Sequence, residues 1–294
     1  MPFFIVRRWC FNYGGDEMNI EAGQTVLITG ASGGLGNYIT EAFAQRGLKL
    51  GLVAFPGTEL VGMQQELEQR GLKVFSSASD LRDAAQRRMV VDHVRKELGE
   101  IDILVNNAGM EFTCPYHELS EDNICDVISV NLQAAMIMAR LVLPGMVHRR
   151  RGHIINISSL AGRAHPALQE PYAATKAGLI GFTYSLRATY RRLGVSASAI
   201  IPGFIETGIY TKLKERSGCT APFLLGTSPP QKVIRAIMSA IQKDRPEVIV
   251  NALPVRPLLA LAALCPALGE WALDKTGGHE FFRKVFAATS RKTA

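Results

Sequence analysis

An α/β fold is what this sequence predicts: one doubly wound parallel sheet of about seven strands, in a single domain with a C-terminal helical extension. Three observations carry that expectation. Short apolar runs alternate with longer helical patterns along most of the chain. Several runs, such as Val26-Leu27-Ile28 and Ile103-Leu104-Val105, are continuously apolar. Strands covered by helices on both faces need that pattern, whereas strands with one wet face alternate. Finally, the first run passes straight into a glycine-rich turn, and a helical pattern begins at once.

The runs fall at Thr25–Thr29, Lys49–Val53, Lys73–Ser76, Ile101–Val105, His153–Ile157 and Val195–Ile201. A seventh, Glu247–Val250, follows a helix that Pro229 and Pro230 open. No internal repeat or low-complexity linker interrupts residues 18–251, which are read as one domain. Residues 1–17 form an N-terminal appendage, with Met18 an alternative start of translation. Arg7 and Arg8 break its apolar patch, leaving it too short for a secretory signal core, and no small-residue cleavage site follows. Residues 252–294 differ in character: Pro257–Leu268 is almost wholly apolar, and Arg283-Lys284 and Arg291-Lys292 follow. Those twelve apolar residues, interrupted by Pro266, fall short of the roughly 20 that cross a bilayer. Three readings of the extension stand open: it rests in a membrane interface, covers a partner subunit, or packs on its own core.

Composition narrows the function. Apolar residues make up 47% of the chain and charged ones 20%, which suits a soluble protein with a sizeable core. Thirty-three Lys and Arg against 26 Asp and Glu give a net charge of +7. That excess is spread out, where a nucleic-acid reader concentrates it in a stripe, so no nucleic-acid partner is expected. The five cysteines, Cys10, Cys114, Cys125, Cys219 and Cys265, form neither a disulfide framework nor a metal site. Reduced thiols in a cytoplasmic protein are expected, with no metal.

The residues also spell out a chemistry. In Thr29-Gly30-Ala31-Ser32-Gly33-Gly34-Leu35-Gly36, the glycines let backbone N–H groups approach a pyrophosphate at the positive end of a helix. A side chain at Gly34 would hold the phosphates off, and Gly36 permits close helix–strand packing. Tyr172 and Lys176 stand four apart on a helix that Pro171 starts and Gly194 ends. They share a face, so the ammonium can lie beside the phenol. A neighbouring cation favours phenolate, bringing the phenol's pKa down toward the range useful for general acid–base catalysis. Ser159 lies thirteen residues before Tyr172, just past a strand end, and its hydroxyl can stabilise a developing alkoxide. Ser158 competes for that place. His165 either touches substrate or is a loop residue.

With Asn106-Asn107-Ala108-Gly109 after the fourth strand, Ser159, and Tyr172-Ala-Ala-Thr-Lys176, this glycine spacing resembles that of the short-chain dehydrogenase/reductase family. The likeness runs over about residues 22–251 and selects Ser159 over Ser158. It implies a Rossmann-type fold and an NAD(P)-dependent oxidoreductase that interconverts a carbonyl and a secondary alcohol. Tyr172 would transfer the proton, Lys176 tune it, Ser159 polarise the substrate oxygen, and Asn131 help hold a relay water. The cofactor would be held by Gly30, Ser32, Gly34, Leu35, Gly36, Asp80, Asn107, Ala108, Gly109, Tyr172, Lys176, Pro202, Gly203 and Thr207. Asp80 would contact the adenine amine, and Pro202-Gly203 with Thr207 would lie near the nicotinamide carboxamide. Pairing through the helices bearing Asn131 and Tyr172, into a homodimer or homotetramer, is also implied.

The pattern is departed from at the end of the second strand. Val53-Ala54-Phe55-Pro56-Gly57 carries neither the acid that suits the ribose of NAD nor a base for the 2′-phosphate of NADP. An unpaired phosphate dianion is costly to desolvate, so the lean is to NAD, with Arg46 the nearest cation in sequence. Between Gly203 and Pro229 stand Phe204, Ile205, Ile209, Tyr210, Leu213, Phe223, Leu224 and Leu225. They form either a lid over an apolar lipid, steroid or fatty-acyl substrate, or a face that packs on the tail. Two rival functions are a non-catalytic dinucleotide redox sensor and a cofactor-retaining isomerase or dehydratase. The tuned phenol argues against the first. The glycine spacing and short C-terminal region argue against the second.

Overall fold

The computed structural model describes residues 18–293, with side chains to Ser290. The appendage at 1–17, Cys10 included, lies outside the described residues. Seven strands form one parallel sheet: β1 Thr25–Thr29, β2 Lys49–Ala54, β3 Val74–Ala78, β4 Ile101–Asn106, β5 Gly152–Ile157, β6 Val195–Pro202 and β7 Glu247–Val250. Their order is β3-β2-β1-β4-β5-β6-β7, and each neighbouring pair is parallel. The chain thus winds outward from β1, returns to its other side at β4, and winds outward again. That reversal opens a crevice at the carboxyl ends of β1 and β4, where open α/β sheets bind ligands.

The helices of the first half are α1 Gly34–Ala44, α2 Val61–Gln69, α3 Ala84–Leu98, α4 Glu121–Ile128 and α5 Ala134–His148. A π-helical turn at Ser129–Gln133 joins the last two. Then come α6 Ala161–Ala164, α7 Glu170–Tyr190, α8 Gly208–Ser217 and α9 Pro230–Gln242. The extension adds α10 Arg256–Leu264, α11 Pro266–Asp274 and α12 Gly278–Thr293. Two cores form because successive strand side chains point to opposite faces. Val26 and Ile28 join Ile39, Phe43, Val233 and Ile237 on the α1/α9 side. Leu27 joins Val90, Val94, Met138, Val142 and Leu186 on the α3/α5/α7 side. The stretch Glu121–His148 is long and apolar enough to cross a membrane, but its buried face lies against this second core.

Of the two expectations held for it, the segment after β6 shows the packing on the tail. Its α8 places Tyr210 and Leu213 against Phe281, Phe282 and Val285 of α12, with Phe204 packed alongside. Burial of each such side chain contributes about 1.5–3 kcal/mol, which fixes α12 on the domain. The apolar run of the extension divides at Cys265–Pro266 into two helices, α10 having no buried residue and α11 only Gly269.

Candidate active site

Five elements deliver their ends to one cavity of about 320 Å³. The glycine turn after β1 supplies Gly30, Gly34, Leu35 and Gly36, and the end of β4 supplies Asn107, Ala108 and Gly109. The end of β5 and the start of α7 supply Ser159, Tyr172 and Lys176, and the segment after β6 supplies Pro202, Gly203 and Thr207. Of the residues expected at the site, Ser32, Asp80 and Asn131 do not line this cavity.

The glycine turn suits a phosphate. A Cβ at Gly36 would collide with the Gly30 and Ala31 carbonyl oxygens, so only glycine lets α1 close on the end of β1. A Cβ at Gly34 would strike Thr207 Oγ1 and Gly208 N, because the start of α8 lies directly over the turn. No side chain caps α1, and no acid occupies its first turn. Its N-terminal N–H groups are therefore available to an anion. Asn107 fastens the neighbouring loop: its Nδ2 donates to the Thr29 and Gly30 carbonyls at 3.1 and 3.0 Å, while its N–H donates to Thr29 Oγ1 at 3.0 Å. These features fit a pyrophosphate-bearing dinucleotide.

On the opposite wall α7 begins at Glu170 with Pro171 in its first turn, runs to Tyr190, and passes through a short 3-10 turn to Gly194 at φ 81°. Lys176 is buried, 4% exposed, and its Nζ donates to the Ile157 carbonyl at 2.9 Å. The ammonium lies 5.6 Å from the centroid of the Tyr172 ring. The two serines make different bonds. Ser158 Oγ donates to the Lys176 carbonyl at 2.8 Å, holding α7 to β5. Ser159 Oγ accepts the Ala161 N–H at 3.1 Å and hydrogen-bonds the Tyr172 hydroxyl.

One electrostatic expectation is corrected. The phenol is not acidified by its neighbour: burial pushes the Tyr172 pKa up to about 12, the Ser159 hydrogen bond pulling it down and the Glu111 charge adding to the rise. Burial also lowers Lys176 to about 8. Spacing put a cation near a phenol, but the cost of desolvating either charge outweighs their interaction here. Tyr172 is therefore a protonated phenol, which is the form a proton donor needs.

Asn131 sits in the π-helical turn, buried at 1% exposure. Its Oδ1 accepts the Met110 N–H and its Nδ2 donates to the Met110 carbonyl, both at 2.8 Å. Nδ2 also reaches Thr175 Oγ1 at 3.3 Å. Asn131 thus clamps the peptide next to Gly109, just behind the cavity wall. Asp80 lies past β3, where both carboxylate oxygens take Arg82, 2.7 Å away at closest; Arg82 bonds Asp126 at the same distance. Those contacts hold the Asp80 carboxyl below its ordinary pKa.

Sequence reasoning missed the distal wall. Leu273, Thr276, Gly278, His279 and Phe282, all from the extension, line the same cavity as Tyr172. It also missed Gln169, buried at 1% exposure, whose Nε2 donates to Glu111 Oε2 and Thr113 Oγ1 at 2.8 Å each. That bond ties the start of α7 to the segment after β4. His165 does not line the cavity, its neighbours Ala164 and Pro166 do.

A nucleotide-binding crevice with a phenol, a serine and a lysine at its mouth defines an NAD(P)-dependent oxidoreductase of the Rossmann class. A model of the short chain dehydrogenase family matches residues 24–218, and the chain belongs to that family. It is 36% identical over 254 residues to the ketoacyl reductase HetN of Nostoc sp. (strain PCC 7120 / SAG 25.82 / UTEX 2576), covering 86% of each chain. It is also 36% identical over 206 residues to the 3-oxoacyl-[acyl-carrier-protein] reductase FabG of Escherichia coli (strain K12), covering 69% of this chain and 83% of that one. Among solved structures, an NAD-bound 3-oxoacyl-[acyl-carrier protein] reductase from Brucella melitensis superposes with a TM-score of 0.68 at 29% identity. That match covers 78% of this chain and 90% of the other. All three are named as reductases.

Proposed function

We propose that the enzyme reduces the keto group of an apolar, 3-oxoacyl-like substrate to a secondary alcohol, with NADH preferred over NADPH. The single observation that carries the substrate reading is the cavity wall: Leu160, Phe204, Ile205, Ile209, Leu225, Leu273 and Phe282 line the same cavity as Ser159 and Tyr172. Such a wall favours an acyl chain over a sugar or a small polar ketone. The nicotinamide supplies or accepts the hydride when bound. Tyr172 gives its hydroxyl proton to the nascent alkoxide, and Ser159 donates a hydrogen bond to the same oxygen. Lys176 holds positive charge beneath the phenol, supporting it once the proton has left, and Asn131 fixes the strand-end peptide that shapes the cofactor side. Gly30, Ser32, Gly34, Leu35 and Gly36 form the phosphate turn, Asn107, Ala108 and Gly109 flank the cofactor, and Pro202, Gly203 and Thr207 close over it. Asp80 faces the adenine.

The NADH preference rests on the absence, among the described residues, of a spare cation beside Phe55. Arg82 lies 5.7 Å from the centroid of that ring but is shared between two carboxylates, and Arg46 turns its guanidinium to the Ala42 carbonyl at 2.6 Å. Steady-state kcat/KM with each cofactor tests it, and a clear NADPH preference rejects it. For the reaction, NADH oxidation with 3-oxoacyl thioesters of increasing length should show kcat/KM rising with chain length. A flat series removes the apolar substrate. Tyr172→Phe should lower kcat about 10³-fold with the fold retained, and an unchanged kcat would reject the role of the phenol.

Two surfaces support readings of assembly. Exposed Ile128, Met136 and Tyr184 on the helices around Asn131 and Tyr172 favour pairing of two copies there, which the mass from light scattering checks. Leu264 at 82% exposure, Leu268 and Trp271 leave the α10–α11 hairpin an apolar face suited to a membrane interface. Sedimentation with anionic liposomes tests that, and a protein left wholly in the supernatant rejects it.

A further inference from the structure

Residues beyond the family match reach back into the reaction chamber. The match ends at residue 218, yet α12, anchored by Phe281, Phe282 and Val285, presents His279 to the cavity that holds Ser159 and Tyr172. His279 also supports the loop between those two residues, because its Nδ1 accepts the Ala167 N–H at 3.1 Å. That loop carries two left-handed non-glycine residues, His165 at φ 47° and Leu168 at φ 62°. Such backbone costs about 1–3 kcal/mol per residue and persists only where its surroundings hold it.

An acceptor at Nδ1 fixes the tautomer and leaves the ring proton on Nε2. Among the described residues nothing bonds to Nε2. The donors of the neighbouring polar side chains are committed: Gln169 donates to Glu111 and Thr113, Asn251 Nδ2 to the Leu225 and Leu253 carbonyls, and Thr276 Oγ1 to the Leu273 carbonyl, while Asn251 Oδ1 is a buried acceptor without a partner among the described residues. Leu273 and Phe282 make the extension's share of the wall largely apolar, and the Nε2–H of His279 is an oriented donor beside them that a substrate acceptor can match.

Resting on the ketoacyl reading above, we infer that His279 is a specificity residue whose Nε2–H binds a second carbonyl oxygen of the substrate, beyond the one being reduced. A 3-oxoacyl thioester offers that oxygen in its acyl carbonyl, whereas a simple ketone does not. The extension thereby selects dicarbonyl acyl substrates over monoketones.

Two variants separate this role from loop support, because an asparagine amide reproduces the Nδ1 position of histidine and a glutamine amide the Nε2 position. Each is assayed with acetoacetyl thioester and with cyclohexanone. His279→Asn keeps an acceptor for Ala167 N–H but loses the distal donor. It should raise KM for the thioester about tenfold, the worth of one neutral hydrogen bond, and leave kcat/KM for the monoketone within about twofold. His279→Gln should recover most of the thioester affinity. Equal losses on both substrates, or full activity of His279→Asn with a defect confined to His279→Gln, would make His279 a loop strut and overturn the inference. An unaltered enzyme inactive on both substrates would instead remove the ketoacyl reading, and this inference with it.

Discussion

Strand β5 and helix α7 carry a buried polar cluster at each end, and the two clusters are built to opposite rules. At the amino end of β5, His153 shares a hydrogen bond of 2.9 Å with Ser198, whose hydroxyl donates to the Arg245 carbonyl. Beside it, near the carboxyl end of α7, Arg187 forks onto Asp244, which also takes Arg191 and Ser196. Every charge there has an opposite charge in contact. At the other end Lys176 is buried with one carbonyl and no carboxylate within ion-pair reach among the described residues. Among the described residues the Tyr172 hydroxyl has Ser159 alone as a hydrogen-bond partner, and both residues line the cavity. A saturated network stabilises the fold, whereas an unsaturated one raises its free energy and leaves bonds for a ligand to complete.

The sharpest break of that contrast is Asp244→Asn. It leaves two guanidinium groups without their anion, and breaking such a pair costs about 3–5 kcal/mol. Urea unfolding should show that loss while KM for substrate and cofactor stays unchanged. An altered KM with intact stability would mean that the two clusters are not separate in function.

Lys176→Met should move the opposite way. An ammonium whose pKa is depressed to about 8 costs the fold roughly 3 kcal/mol at neutral pH. The folded state binds fewer protons than the unfolded chain between pH 8 and 10.5, so stability rises with pH across that window. Methionine removes the penalty but leaves the Ile157 carbonyl without its donor, for a net gain of about 2 kcal/mol. The variant should unfold at higher urea and be nearly inactive. A less stable variant would show that the catalytic cluster also holds the fold together.

The two clusters were unequally legible from sequence. The seven strands, the proline start of α7, its Gly194 end and the Tyr172–Lys176 pair follow from local patterns, because helix and strand periodicities and turn residues act over a few positions. The π-helical turn carries no such mark. Ser129-Val-Asn-Leu-Gln reads as ordinary helix, and the Met110 peptide that Asn131 grips lies 21 residues away. The rise in the Tyr172 pKa depends on how much protein surrounds the ring, which spacing does not encode. His279 joins the site across more than a hundred residues through α12, whose docking rests on an apolar cluster whose partner could not be chosen from the sequence.

The smallest effect tests the saturated cluster by pH. Burial lowers His153 to about 4 from its usual 6.5, so it stays neutral where the unfolded chain would take up a proton. Between those values the unfolded state binds more protons, and stability must fall as pH falls through the window. By pH 5.5 the loss is about 1 kcal/mol, and it is absent above about pH 7.5. His153→Gln, which keeps a donor for Ser198 but cannot titrate, should flatten that part of the urea midpoint against pH. The same slope in the variant would place the acid sensitivity in another group, with the Arg187–Asp244 pair the next to examine, since the Asp244 carboxyl is held below its ordinary value by hydrogen bonds that outweigh its burial.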